Sequence, residues 1–144
     1  MQWSAATKRL SHPILDDPRY APARVNVADQ RRDPDALFNW LGQLIRERKE
    51  RPEFGWGRCQ LIETENPAIF AHRGDWDGGG ILVIHNLVGC HTTAVVSLGL
   101  DERLTEILSD GDYEPPLNGG QGLELVGYSY RWFRIRRDGQ RILA

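Results

Sequence analysis

The sequence predicts a mainly β protein, an antiparallel β-sandwich preceded by one amphipathic α-helix and an extended N-terminal segment. Three observations predict it. After residue 57, short apolar and β-branched runs succeed one another at turn-like intervals, with no helical period between them. Residues 33–51 carry apolar side chains at helical spacing, bounded by start and stop signals. Residues 1–24 show neither period, because Trp3, Leu10, Ile14, Leu15 and Tyr20 are scattered among Pro13, Pro18 and Pro22. That segment is too apolar for a solvated tail and reads as a loop packed on a scaffold.

The helix is expected over 33–51. Asp33 is a suitable N-cap, Pro34 fits the first helical position, where an N–H would lack a partner, and Asp35 complements the positive end of the dipole. Leu37, Trp40, Leu41 and Leu44, with Phe38 and Ile45 beside them, form one face, and Gln43, Arg46, Glu47 and Lys49 lie opposite. Such a face needs burial, and Pro52 ends the helix.

Strands are expected over 58–63 and 68–73, joined by a turn at 64–67, then a turn over 75–80. The run ILVIHNL at 81–87 is the most apolar in the chain and reads as a central strand. A strand at 92–98 follows, then an ambiguous stretch at 104–108, a loop over 109–122, and strands at 123–126 and 129–136. In the last, Tyr130, Trp132 and Arg134 alternate with Arg131, Phe133 and Ile135, so both faces are expected to be covered, with Trp132 in the core. Asp138-Gly139 is a two-residue hairpin signal.

At 144 residues the chain can bury one core but cannot hold a (β/α)8 barrel, which needs about 250 residues. Its 18 basic and 20 acidic residues give a net charge of -2, which favours neither nucleic acid nor an anionic membrane. No apolar run approaches the roughly 20 residues of a membrane span, and MQWSAATKRLSHP lacks a signal-peptide core, so a cytoplasmic protein is expected. Lysine occurs only at Lys8 and Lys49 beside many arginines, a bias of GC-rich bacterial genomes. Cys59 and Cys90 fit free thiols in a reducing compartment, with a disulfide left open by counting alone.

Candidate chemistry is sparse. His72, His85, Cys90 and His91 lack the close spacing of a metal knuckle, so no metal site is expected. The acid pairs Asp16-Asp17, Asp75 with Asp77, and Asp110 with Asp112 sit among turn formers, and neither Gly78-Gly79-Gly80 nor Gly119-Gly120 makes a phosphate loop. No catalytic residue and no cofactor is therefore assigned. Tryptophans outside the strands are another matter, since indoles stack on sugar rings. Trp76, in the DWDGGG turn, is the one most expected to be exposed, and Trp56 shares this candidacy. A module binding an oligosaccharide is accordingly an alternative function.

The order of distinctive pieces adds a further reading. MQWS, then VNVADQRRDP with the helix after it, then RPEFGWG, and finally GYSYRWFRI resemble the C-terminal end of trehalose synthase (maltose α-D-glucosyltransferase) and related enzymes of the α-amylase family. The resemblance implies an α-amylase-type C-terminal β domain over 52–144. It implies that 1–51 is the loop and last helix of a barrel that is otherwise absent. The family's nucleophile and acid/base precede the segment that MQWS matches, so the resemblance transfers no catalytic role. It places Gln2 and Trp3 near the rim of a substrate pocket, making Trp3 and Trp76 the candidate substrate-binding residues for an α-glucoside. The expected role is structural, with the face of Leu37, Trp40, Leu41 and Leu44 meeting either a catalytic barrel or a second copy.

Overall fold

The computed structural model describes residues 2–6, 17–116 and 122–137. It divides into two compact units, Met1–Glu50 and Arg51–Ala144.

In the first unit, α1 (Val27–Gln30) is a single turn and α2 (Leu37–Glu50) is the long helix, preceded by a 3-10 turn at Pro18–Tyr20. Polar side chains hold the lead-in together. Buried Asn26 caps α1, its Oδ1 accepting from the Asp29 amide at 3.0 Å while its Nδ2 donates to the Pro22 carbonyl at 2.9 Å. The carbonyls of Gln2 and Trp3 accept from Val27 and Ala28, two amides at the start of α1 that no preceding helical turn could satisfy.

The long helix starts later than the sequence suggested. Asp33 does not cap it; the Asp33 carboxylate accepts from the amide of Asp35, only two residues on, which closes a turn. Asn39 reaches back from the first turn of α2 to the carbonyls of Gln30 (2.8 Å) and Asp33 (2.7 Å). Residues 33–36 are thus spent in that turn. The helix ends at Glu50, and Pro52 opens a 3-10 turn, Pro52–Phe54.

The second unit is an antiparallel sandwich. A five-stranded sheet runs in the order β1 (Arg58–Ile62), β2 (Ile69–Trp76), β3 (Gly79–Asn86), β7 (Tyr130–Arg137), β5 (Glu102–Ser109). A two-stranded sheet pairs β4 (Thr92–Ala94) with β6 (Leu123–Leu125). Inward residues of both sheets make one core: Ile69 and Ala71, Leu82 and Ile84, Phe133 and Ile135 from the larger, Ala94, Leu123 and Leu125 from the smaller. β3 is central, as its apolar run required, and it is buried on both faces.

Several boundaries differ from the sequence reading. The turn expected over 75–80 shrinks to Asp77 and Gly78, whose φ values of 46° and 77° are those of a tight hairpin between Trp76 and Gly79. β2 and β3 are correspondingly longer. β4 keeps only three residues because β6 offers only three partners, although Val96 stays buried beyond it. The stretch at 104–108 is neither helical nor short, and β5 spans eight residues with a bulge between Glu106 and Leu108. That bulge turns Leu108 to the outer face opposite Trp132 and leaves Glu106 on the inner side beside Arg131. The Asp138-Gly139 hairpin lies outside the described residues.

Two polar clusters close the sandwich. Arg131, 2 % exposed, forms a bidentate pair with Glu106 (3.2 and 2.7 Å), donates to the carbonyls of Glu124 and Glu114, and lies over the rings of Tyr113 and Phe133. Asn86, also buried, donates to the carbonyls of Cys90 and Val126, joining two loops far apart in sequence. Neither cluster has a short-range sequence signature.

Candidate functional site: a paired-tryptophan cleft

The cleft forms where the β2–β3 hairpin meets the segment after Pro52–Phe54. In that 3-10 turn the Trp56 amide donates to the Pro52 carbonyl at 2.8 Å, folding the chain back on itself. Buried Glu53 lies at its centre, and Gly57, Gly74 and Gly79 close around it. A Cβ on Gly57 would collide with the Glu53 carbonyl oxygen, and one on Gly79 would stand 2.8 Å from Glu53 Oε1. Glycine at position 57 therefore allows backbone to close on the Glu53 carbonyl, and glycine at position 79 allows it to close on the buried Glu53 carboxylate. Arg134 Nη2 approaches that carboxylate at 3.6 Å, and Glu53 Oε2 is buried with no hydrogen-bond partner among the described residues.

This packing sets Trp56 beside Trp76. Their ring centroids lie 6.4 Å apart with planes inclined by 37°, and the rings belong to residues 75 % and 44 % exposed. With Arg58, Asp75, Asp77, Gly78, Gly79 and Arg137 they line an open cleft of about 310 Å³. Asp75 is held rigidly, both of its oxygens accepting from Arg73 at 2.7 Å. Arg73 also forms a bidentate pair with buried Glu102, which receives Arg137 as well. These hydrogen bonds, from Arg73 first, hold the Glu102 carboxyl down at about 2, and they raise Arg73 above its usual range.

The sequence-predicted site residues separate. Trp76 is in the cleft and Trp56 joins it, whereas Trp3, 62 % exposed, belongs to the first unit. Trp132 is not in the sandwich core. It faces the outer side of the sheet, half-buried, with the Phe54 ring 5.1 Å away. His72 and His85 share that outer face, on either side of Phe70, and burial lowers both of their pKa values, His85 being lowered further by its neighbour His72. His91 faces Glu124 at 3.8 Å instead of joining them. Among the described residues no three His, Cys, Asp or Glu side chains gather to hold a metal ion. Cys59 and Cys90 are unpaired and exposed. No described helix is long and apolar enough to cross a membrane.

The apolar face of α2, expected to meet a barrel or a second copy, is largely uncovered. No residue of the helix is buried. Trp40 and Leu44 are half-buried, while Leu37, Leu41 and Ile45, at spacing i, i+4, i+8, are 61 %, 44 % and 52 % exposed. The apolar arc is wider than its own unit covers.

Solved enzymes contain a stretch of similar fold. An isomaltulose synthase mutant from Erwinia rhapontici NX5 aligns with 94 % of this chain and 24 % of its own, at TM-score 0.75 and 21 % identity. The trehalulose synthase of Pseudomonas mesoacidophila MX-45 aligns with 83 % of this chain at TM-score 0.69 and 21 % identity. In sequence, a trehalose synthase of Pimelobacter sp. (strain R48) is 30 % identical over 140 residues, 92 % of this chain and 24 % of that protein. The oligo-1,6-glucosidase of Halalkalibacterium halodurans is 31 % identical over 118 residues, 78 % of this chain and 18 % of its own length. No family model matches the chain. The chain thus resembles the C-terminal part of trehalose synthase and related enzymes of the α-amylase family, and it spans about a quarter of the length of the trehalose synthase it matches.

Proposed function

We propose that this chain is a non-catalytic C-terminal portion of a trehalose synthase-like enzyme, with a structural or docking role. Residues 1–51 then correspond to the loop and last helix of a catalytic barrel and 52–144 to the β domain after it. The observation that carries the reading is α2, whose Leu37, Leu41 and Ile45 stay in water although the chain aligns with only a quarter of its trehalose synthase relative. Leu61 and Phe70, exposed on the outer face of the larger sheet, support it. A catalytic barrel is the natural cover for α2, and without one a second copy serves. The unpaired cysteines and the arginine-rich composition fit a bacterial cytoplasm.

The test is the solution mass of the pure chain by light scattering across concentration, with an assay for turnover of maltose and trehalose. A dimer or larger species that turns over neither sugar is expected. A monomer at high concentration would count against the docking role, and turnover would overturn the non-catalytic one.

A further inference from the structure

We propose that the Trp56–Trp76 cleft binds a neutral oligosaccharide, one pyranose ring stacking on the indoles. This goes beyond the structural role and does not depend on it.

A pyranose offers a C–H face that is apolar and an edge of hydroxyls that both donate and accept. The cleft offers the complement: two exposed indoles, lined further by Asp75 and Asp77 and by Arg58 and Arg137. Two acids and two bases cancel, so the cleft presents no field that would favour a phosphate, a nucleotide or a polyamine. What remains attractive is an uncharged molecule rich in hydroxyls. A volume of about 310 Å³ sits at the small end of the ligand pockets of proteins, ~300–1,000 Å³, and suits one ring with the rest of the glycan in solvent.

The cleft is also preorganised. Trp76 ends β2 immediately before a two-residue turn, and the Trp56 backbone is held by the turn built on Glu53. Glu53 is thereby a positioning residue: its Oε1 backs Gly79, a residue of the cleft floor, while its backbone receives Gly57, the residue after Trp56. Little backbone ordering is left for binding to consume.

The experiment is an NMR titration of the full chain, following the indole N–H resonances with maltose, maltotriose and trehalose, and with sorbitol as a non-pyranose control. Saturable shifts confined to Trp56 and Trp76 are expected with at least one of the glycosides and not with sorbitol. Trp76→Ala is expected to weaken binding about tenfold or more, about 1.4 kcal/mol, and Trp76→Phe to restore part of it. Trp76 is exposed, so folding is retained in both variants, as the unchanged methyl resonances of Ile84 and Leu125 would verify. Glu53→Gln is expected to weaken the same titration and to move the Trp56 resonance without sugar. Three outcomes would overturn the site: no saturation with any glycoside, equal shifts with sorbitol, or indole resonances that respond only to protein concentration, which would make the pair a protein contact.

Discussion

β3 and α2 are both densely apolar, yet β3 buries every residue except Gly79 and His85, whereas α2 buries none. The strand finds partners on both sides within its own sheet, β2 and β7, and the smaller sheet covers its inner face. The helix has an apolar arc as pronounced, but its stripe of Leu37, Leu41 and Ile45 remains in water. Periodicity states which side chains need a cover. It does not state whether the chain in hand contains one. The core between the two sheets is covered from within the chain; the apolar stripe of the helix is not.

That contrast can be tested by perturbing each side. The largest effect belongs to the sandwich: Arg131→Ala strands the Glu106 carboxylate and uncaps the carbonyls of Glu114 and Glu124. A loss of about 3–5 kcal/mol is expected in urea denaturation. A loss below about 1 kcal/mol would mean that the interior at that end is hydrated and the sandwich less complete than its packing indicates.

Acid should act on the same unit. The Glu102 carboxyl titrates near 2 in the folded chain against an ordinary 4.5, so its contribution is full above pH 4.5 and is lost as pH falls through 2. The difference amounts to about 3 kcal/mol. A pH series of melts should show this limb in the native chain and a flatter one in Glu102→Gln; matching curves would refute the assignment.

The smallest effect sharpens the comparison from the helix side. A Cβ at Gly42 meets nothing within 4 Å, and glycine inside a helix costs about 1 kcal/mol relative to alanine. Gly42→Ala should therefore stabilise the first unit by up to that amount in a thermal melt. If the substitution instead weakens self-association seen by light scattering, this part of α2 is pressed against a second copy in solution.

The legible parts of the fold were those set by local chemistry. The alternation of Tyr130 to Ile135, the apolar run of β3 and the Pro52 stop all correspond to elements of the structure, because side-chain period and backbone donors act within a few residues. Asp77-Gly78 was readable as a turn but not as one this tight. The helix start was misplaced because Asp33 can serve a cap or a turn equally, and Asn39, reaching back to Gln30 and Asp33, decides between them. Trp76 was legible as an exposed aromatic in a turn, and Trp56 only as a weaker candidate.

By itself, then, the sequence determined where the long helix ends, that its apolar face seeks a partner, and most of the strand segments, though not β5. Only the tertiary structure decided that Trp56 meets Trp76, that Arg131 is buried against Glu106, and that Trp132 turns to the outer face beside Phe54. The reason is one of distance along the chain. Strand register, a bulge in β5 and the closure of three glycines on Glu53 join residues many positions apart, and no pattern within a short window encodes which of several compatible pairings packs best.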